Sequence, residues 1–221
     1  VIKVYGLQYE LSMLVNDVEL CHKTVGSFLI QCSRSRNSKM YELCSSTLVF
    51  ILKKHCMAKS KLVSESNSVR YYRQFFEFLA PELPEVFHTH LQEFLYLFDS
   101  QCHPLRNAAV EILKQIIIHK CGQVNSAEAK DEELGKNTEE LRRELLDWIL
   151  QRTADKSSWC RLTAVTTLHE LMVLKMIHSD YVEKVFEKAA KHIKDPTSIV
   201  RKKAMVLASE ILTFYISTME F

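Results

Sequence analysis

Residues 194–212 read KDPTSIVRKKAMVLASEIL, and residues 154–172, forty positions earlier, read ADKSSWCRLTAVTTLHELM. Each stretch holds an aspartate, an arginine six positions later and an alanine three positions beyond the arginine. A further copy, the first of the three along the chain, begins at an arginine that lies seven residues after Asp99. The aspartates and arginines of this pattern are Asp155, Arg161, Asp195, Arg201 and Arg106. Such self-similarity along one chain predicts an internal structural repeat.

The residues that follow each arginine have the period of a buried helix. With the three arginines aligned, apolar residues recur 3, 4, 7, 10 and 11 positions later. These offsets trace one face of an α-helix. Copy by copy, the residues on this face are Ala109, Val110, Leu113, Ile116 and Ile117; Ala164, Val165, Leu168, Leu171 and Met172; and Ala204, Met205, Ala208, Ile211 and Leu212.

A second amphipathic segment precedes each of these helices. The clearest examples are NTEELRRELLDWILQRT at 137–153 and SDYVEKVFEKAAKHIKD at 179–195. Asp195 followed by Pro196 is an N-cap with a proline in the first helical position, which predicts a sharp helix start. The repeating unit is therefore a pair of helices joined by a turn, and a period near 40 residues with two helices per unit is typical of HEAT-type solenoids.

We therefore predict an all-α protein, a single α-solenoid over residues 1–221 with about five HEAT-type hairpins. The clearest repeats are 82–121, 137–177 and 179–217, and a polar loop occupies 121–138. The helices predicted before and within the first clear repeat are 3–22, 24–34, 38–57, 65–80 and 82–100.

The composition agrees with a helical protein. The chain has only 4 glycines and 4 prolines in 221 residues, whereas hairpin turns and phosphate-binding loops depend on glycine. The seven cysteines lack CxxC spacing, which predicts free thiols in a reducing compartment, cytosol or nucleus. The longest apolar runs have about five residues, too few to cross a membrane. The chain begins at Val1, and we expect it to be a piece or a reduced form of a longer protein.

The turn residues have two interpretations. In stacked hairpins, an arginine near the start of the second helix often spans to an aspartate of the adjacent turn, so Arg161, Arg201, Asp155 and Asp195 are first interpreted as structural ties. Contact with a ligand is the alternative. Arg106 lies one position out of register with Asp99, and its pairing is the least defined.

The ordered set of repeats resembles a known family. PLRNAAVEIL at 104–113, the stretch RRELLDWILQRTADKSSWCRLTAVTTLHELMVLKMI at 142–177 and KDPTSIVRKKAMVLASEIL at 194–212 are similar to condensin subunit 1, the HEAT-repeat non-SMC subunit of condensin. The resemblance covers about 85–216, roughly three-fifths of the chain.

The resemblance implies a scaffold that acts in mitotic chromosome condensation. Members of that family bind the kleisin subunit and the SMC subunits and contribute contacts to double-stranded DNA, in the nucleus and on chromosomes, with the cytoplasm a second location. The ATPase chemistry belongs to the SMC partners, so we expect no enzymatic activity in this chain. The alternative is a HEAT-type transport or assembly adaptor that binds proteins and has no role with nucleic acids.

Charge is distributed unevenly along the chain. Residues 31–73 contain nine Lys or Arg residues against Glu42 and Glu65, whereas residues 74–99 contain five acids and no Lys or Arg. A basic block suits a surface that follows phosphates, although a solvated face explains it equally. The DNA-binding candidates are Arg34, Arg36, Lys53, Lys54, Lys59 and Lys61, with Lys202 and Lys203 as a second group.

The sequence gives little support for a metal site, a catalytic site or a cofactor site. Histidines and cysteines occur as adjacent pairs, such as Cys102–His103, whose side chains point to different sides of a helix and do not suit a zinc site. No GxSxG, P-loop, HExxH or dinucleotide-binding sequence occurs. We predict no catalytic site, metal, cofactor, small-molecule ligand or membrane partner. The aromatic clusters at 71–79 and 94–98 are interpreted as core, with a peptide-binding groove as the alternative.

Overall fold

A computed structural model describes residues 10–11, 21–56, 67–122 and 132–219. All regular structure in these residues is helical, without a strand, and it includes ten α-helices. The predicted all-α fold class is therefore confirmed. The chain divides into two compact units, Val1–Ile116 and Ile117–Phe221.

The first unit contains six of the helices. They are α1 (Cys21–Arg34), α2 (Ser38–Ile51), α3 (Asn67–Leu79), α4 (Pro84–Thr89), α5 (Leu91–Leu95) and α6 (His103–Ile116). A π-helical turn, Leu52–Cys56, extends α2, and a 3-10 turn, Tyr96–Asp99, follows α5. The predicted break between 22 and 24 does not occur, because α1 begins at Cys21 and no glycine or proline interrupts its first turn.

The longer helices of the first unit pack in pairs, α1 with α2, α1 with α3 and α3 with α6. The α1–α2 pair forms a hairpin, and the Asn37 side chain caps α2 by accepting a hydrogen bond from the Lys39 N–H at 3.0 Å. Helix α3 packs against both α1 and α6. Four phenylalanines fill the core in edge-to-face pairs, with ring centroids 4.6 Å apart for Phe87 and Phe94 and 5.8 Å apart for Phe76 and Phe94. The core interpretation of the aromatic clusters holds for these residues.

The single helix predicted over 82–100 is wrong, because this stretch forms α4, α5 and a 3-10 turn instead. Pro84 starts α4, and His90, with φ −113° and ψ 29°, separates α4 from α5. The apolar residues of this stretch would spread over an arc of about 180° on one straight helix. The break lets the stretch bury Val86, Phe87, Leu91, Phe94, Leu95, Leu97 and Phe98.

The second unit contains the remaining four helices. They are α7 (Glu132–Arg152), α8 (Ser158–Val173), α9 (Ser179–His192) and α10 (Ser198–Met219), preceded by a π-helical turn, Ile117–Cys121. The predicted loop 121–138 is too long, because α7 already begins at Glu132. An acidic run at 131–133 suits the positive end of a helix dipole, which explains the earlier start.

Two helical hairpins stack in the second unit, α7 with α8 and α9 with α10, and α8 packs against α10. Helix α8 ends with Lys175 in the left-handed conformation, φ 57°, and the Met176 N–H donates to the Leu171 carbonyl at 2.8 Å. This reversal directs the chain into the next hairpin. Stacked hairpins within each unit are the packing of an α-solenoid, as predicted.

One helix was predicted over residues 3–22. Only residues 10–11 and 21–22 of it belong to the described part of the chain, and all four are helical. Continuity of one solenoid over 1–221 and the repeat boundaries stay predictions. None of the helices in the described ranges is both long enough and apolar enough to cross a membrane.

Candidate functional site

Each turn arginine folds back onto the turn that precedes its own helix. The same guanidinium nitrogen, Nη1, donates to the carbonyl oxygens six and five residues earlier. The two distances are 2.7 and 3.1 Å for Arg106, 3.0 and 3.3 Å for Arg161, and 2.8 and 2.9 Å for Arg201. In all three copies the arginine therefore supplies hydrogen bonds to carbonyl groups of its own turn.

The side chain six positions before the arginine accepts a hydrogen bond from the backbone N–H two residues later, in the turn that precedes the helix. Asp155 Oδ1 accepts from the Ser157 N–H at 2.8 Å, and Asp195 Oδ1 accepts from the Thr197 N–H at 2.9 Å. In the first copy this position is Ser100, whose Oγ accepts from the Cys102 N–H at 3.1 Å. The alignment predicted from the sequence starts at Asp99, which lies one residue before the equivalent position. Serine and aspartate both form such side-chain-to-backbone turns, and this shared preference was the signal for Ser100. The predicted N-cap at Asp195 with Pro196 in the first helical position is wrong, because α10 begins at Ser198.

One arginine also reaches the next hairpin. Arg161 Nε lies 2.7 Å from Asp195 Oδ2, and Arg161 Nη2 lies 2.9 Å from Asp195 Oδ1. The two side chains are 13% and 2% exposed. This bidentate ion pair joins the turn between α7 and α8 to the turn between α9 and α10, and we call it the turn tie. His192 Nδ1, 3.1 Å from Asp195 Oδ2, completes the surroundings of the carboxylate.

The surroundings hold both members of the turn tie in their charged forms. The hydrogen bonds from Arg161 lower the pKa of Asp195 well below its usual range, against the opposing effect of burial, with further help from the Thr197 N–H and His192. The hydrogen bond to Asp195 in turn raises the pKa of Arg161. A bidentate guanidinium–carboxylate pair with this little exposure is among the stronger polar contacts that a protein makes.

The other aspartate and arginine of the repeat pattern in the second unit, Asp155 and Arg201, are placed differently. Asp155 Oδ2 lies 4.0 Å from Arg152 Nη1, within the same turn. Arg201 has no carboxylate within ion-pair distance anywhere in the described ranges, although it makes the same carbonyl contacts as Arg161.

The DNA-binding candidates have unequal exposure. Arg34 pairs with Glu82 at 2.5 Å, and Lys54 Nζ lies over the Phe50 ring, 5.2 Å from its centroid. Lys203 Nζ lies 3.1 Å from His169 Nδ1. Burial of His169 lowers the pKa of its imidazole, and the positive charge of Lys203 lowers this pKa further. The exposed candidates are Arg34, Arg36, Lys53 and Lys202, although Arg34 makes the ion pair with Glu82. Lys59 and Lys61 lie outside the described residues.

The first group of candidates does not form one compact patch. Arg34 and Arg36 lie at the turn between α1 and α2, whereas Lys53 and Lys54 lie at the far end of α2. Some 15 helical residues separate these ends, a distance of about 22 Å at 1.5 Å per residue. These residues form one group in the sequence because they are close along the chain, but α2 separates the two pairs in space.

One group of side chains has the ligand types of a metal site. Ligand atoms of Glu139, His178 and Asp180 lie within 4.8 Å of one another. Two arginines already contact the same carboxylates: Arg142 Nη1 lies 3.1 Å from Glu139 Oε2, and Arg143 Nη2 lies 2.8 Å from Asp180 Oδ2. With two guanidinium groups in place, the cluster is an ion-pair network between α7 and the start of α9.

Stacked hairpins, a repeated side-chain hydrogen bond in the turn and a repeated turn arginine together define a helical-repeat scaffold of the HEAT/armadillo type. No family model matches the chain. The chain is similar to condensin complex subunit 1 of Schizosaccharomyces pombe, with 25% identity over 135 residues that cover 61% of this chain and 11% of that relative. Among solved structures it is similar to a designed armadillo repeat protein, with a TM-score of 0.44 and 12% identity over 93% of this chain and 92% of the other.

Proposed function

We propose that these residues form a scaffold segment of a condensin-type complex, which binds protein partners and DNA and has no catalytic role. The observation that carries the proposal is the similarity to condensin complex subunit 1 over 135 residues. The partners proposed from the resemblance are a kleisin and the SMC subunits, and the proposed location is the nucleus and chromosomes.

Exposed apolar side chains on the second unit support contact with a protein partner. Trp159 and Ile199 lie two residues before the turn arginine in their respective copies, and both are exposed, Trp159 by 57%. Tryptophan is enriched among the residues that carry binding energy at interfaces. Because Trp159 and Ile199 hold equivalent positions on α8 and α10, the repeat presents them on the same side of the stack.

Contact with DNA rests on the exposed cations. Arg36, Lys53 and Lys202 have exposed side chains, as phosphate contacts require. Arg34 and Lys203 are already engaged with Glu82 and His169, so we assign them a smaller share of the binding. The contribution of this chain to DNA binding is therefore electrostatic and independent of DNA sequence.

The second candidate is a transport or assembly adaptor that binds proteins alone. The observation that favours it is the small net charge of +2 together with the separation of the exposed cations at the two ends of α2. Under this alternative, Trp159 and Ile199 still contact a protein partner, and Arg36, Lys53 and Lys202 are solvated.

Affinity purification of the full-length protein from dividing cells separates the two candidates. The proposal predicts that an SMC pair and a kleisin co-purify in stoichiometric amounts and that Trp159→Ala reduces their recovery. Tyr96→Ala is the matched control, because Tyr96 is an aromatic residue of the first unit with 55% exposure. Recovery of transport or ubiquitin-ligase components without SMC subunits would contradict the proposal and favour the adaptor.

A further inference from the structure

The turn side of the second unit is strongly basic. It is formed by residues 151–166 and 191–206, the two turns that join α7 to α8 and α9 to α10 together with the helical residues beside them. The turn tie between Arg161 and Asp195 places the two turns next to each other. We call this surface the turn edge. It contains two acids and eight Lys or Arg residues, namely Arg152, Lys156, Arg161, Lys191, Lys194, Arg201, Lys202 and Lys203.

The two acids of the turn edge do not neutralise its exposed charge. The side chains of Asp155 and Asp195 are 4% and 2% exposed. Both accept hydrogen bonds from the backbone of their own turns, and Asp195 is also paired with Arg161. The exposed charged residues of the turn edge are therefore all cations, and they are Lys156, Lys191, Lys194 and Lys202.

Two apolar side chains lie among these lysines. Trp159 and Ile199 are 57% and 41% exposed, and each stands two residues before the turn arginine of its repeat. Helices α8 and α10 pack against each other, and the axes of packed helices are about 8–10 Å apart. We therefore place Trp159 and Ile199 roughly 10 Å apart, which is the length of about three residues of extended chain.

The helices that lead into the turn edge are charged in the opposite sense. Residues 137–147 of α7 and 178–187 at the start of α9 contain seven acids and three Lys or Arg residues. Complementary charge attracts a partner to one part of a surface, and like charge repels it from another. An acidic partner is therefore directed to the turn edge and away from the preceding parts of α7 and α9.

We infer that the turn edge binds an acidic protein segment in an extended conformation. Two apolar side chains of the segment, about three residues apart, contact Trp159 and Ile199, and Asp or Glu residues beside them pair with the exposed lysines. Charge complementarity and the spacing of the two exposed apolar side chains identify this partner. The inference gives the chemistry of the partner in the proposed contact at Trp159 and Ile199, and it rests on that contact.

A nucleic acid fits the turn edge less well. Its phosphates would pair with the same lysines, but phosphate contacts come from cationic and polar groups. The aliphatic side chain of Ile199 has no counterpart on a phosphate backbone, whereas an apolar residue of a protein segment removes it from water. The two exposed apolar side chains therefore favour a protein segment as the partner.

Selection from random peptides tests the inference. Dodecapeptides displayed on phage are selected on the immobilised chain of 221 residues. We expect the selected sequences to be rich in Asp and Glu and to carry two apolar residues about three positions apart. The most enriched peptide, labelled with fluorescein, then serves as the probe in fluorescence anisotropy. Selected sequences that are neutral or basic, or no enrichment over the starting library, would overturn the inference.

Charge reversal at the turn edge should weaken binding of the probe. Lys156→Glu combined with Lys194→Glu is expected to weaken it by about tenfold or more, because attraction to the acidic probe becomes repulsion at two positions. The matched control, Lys175→Glu combined with Lys184→Glu, changes the net charge equally at exposed positions outside the turn edge and should stay within about twofold. Equal weakening by the two double variants would show a general charge effect and overturn the inference.

The apolar contact has its own readout. Ile199→Ser tests it, and Val173→Ser, at a half-exposed position at the other end of α8, is the control. We expect a loss of probe affinity of about tenfold for the first variant and less than about twofold for the second. Single-stranded DNA that binds more tightly than the probe, with an affinity that depends on Lys156 and Lys194 but not on Ile199, would overturn the inference in favour of a nucleic acid.

These results are separate from the test of the condensin role. Probe binding that is unchanged by Lys156→Glu with Lys194→Glu, while Trp159→Ala still reduces the recovery of SMC subunits, would overturn this inference alone. Recovery of transport components, together with acidic peptides that bind the turn edge, would contradict the condensin role and support the inference.

Discussion

A side-chain oxygen six residues before each turn arginine accepts a hydrogen bond from the backbone of the turn that leads into the helix. Asp155 and Asp195 do this with a carboxylate, and Ser100 does it with a hydroxyl. The pattern was visible in the sequence as an aspartate followed by an arginine, and it predicted the second and third copies. In the first copy the predicted alignment places Asp99 at the position that Ser100 occupies. The position is decided by the ability to accept this hydrogen bond, which serine and aspartate share, and not by charge.

Ser100 and Asp99 provide the test of this interpretation. We expect Ser100→Ala to lower the free energy of unfolding by about 1 kcal/mol, since it removes the hydrogen bond that the Cys102 N–H donates to the Ser100 hydroxyl, and Ser100→Asp to keep the stability. Asp99→Ala is the control, and as an exposed substitution it should change the stability by less than about 0.5 kcal/mol. Urea denaturation of the three variants measures the difference. A larger loss for Asp99→Ala than for Ser100→Ala would refute the alignment.

The Asp195 carboxylate predicts how stability depends on pH. An unfolded aspartate has a pKa of about 3.9, and Arg161 lowers the pKa of Asp195 in the folded state. Between these two values the unfolded chain binds more protons, so stability rises with pH. The contribution of Asp195 is complete above roughly pH 5 and is lost as pH falls through the folded-state pKa.

Asp195→Asn should remove this part of the pH dependence while its side-chain oxygen continues to accept from the Thr197 N–H. The stability difference between the natural chain and this variant is expected to shrink steadily as pH falls from about 5 to about 2.5. Asp147→Asn, at a half-exposed position, is the control for a general charge effect. A difference that stays constant over this range would contradict the assignment of the turn tie.

At the scale of elements, close approach between α1 and α3 depends on a residue without a side chain. A Cβ atom added at Gly26 would lie 2.8 Å from the Phe78 ring and 3.4 Å from Leu79 Cδ2. On an open helix surface, alanine in place of glycine stabilises by up to about 1 kcal/mol. Here the clash, which typically costs about 1–3 kcal/mol, outweighs that gain.

We therefore expect Gly26→Ala to destabilise the chain by roughly 1 kcal/mol. Phe78→Leu should make the added methyl group tolerable, so that the double variant loses about 1 kcal/mol less than the sum of the single losses. Ser27→Ala, an exposed position on the same helix, is the control and should stay within about 0.5 kcal/mol of the natural chain. Stabilisation by Gly26→Ala, measured by urea denaturation, would show that α1 and α3 are further apart.

The elements themselves could be predicted to different degrees. Helices α8 and α10 follow from one apolar face with the period of a helix, preceded by an aspartate in the turn. The division of 82–100 could not be predicted, because Val86, Leu91 and Phe94 fit a helical period and the break at His90 arises from the space that the core offers. Burial in three dimensions, and not the local sequence, decides between one helix and three short segments there.

For the whole molecule, the distribution of charge is the property on which the proposed role with DNA depends. The order of charges along the chain predicts a basic region but does not show which cations have partners. Arg36, Lys53 and Lys202 are exposed, whereas Lys203 contacts His169 and Arg34, although exposed, pairs with Glu82. Those partners, Glu82 and His169, are distant in sequence. The candidate site was therefore predictable in composition and not in geometry.

Charge reversal of Arg36, Lys53 and Lys202 to glutamate tests the proposed phosphate contacts. Because each phosphate contact contributes about 0.9 to the slope of log affinity against log salt, the triple variant should bind duplex DNA more weakly with a slope about 2.7 lower. Reversal of Lys188, Lys191 and Lys194 changes the net charge equally and is the control. Equal effects of the two triple variants, measured by electrophoretic shift at two salt concentrations, would favour the adaptor.

The turn tie is a mostly buried polar contact between the two stacked hairpins, and a double-mutant cycle on Arg161→Gln and Asp195→Asn measures its contribution. We predict a coupling energy of about 2–3 kcal/mol in the free energy of unfolding, as expected for a close and mostly buried ion pair. The same cycle on Arg143 and Asp180, a pair with both side chains nearly half exposed, should give less than about 1 kcal/mol. A coupling energy below about 0.5 kcal/mol for Arg161 and Asp195 would contradict the account, because the turn tie would then contribute no more than an exposed ion pair.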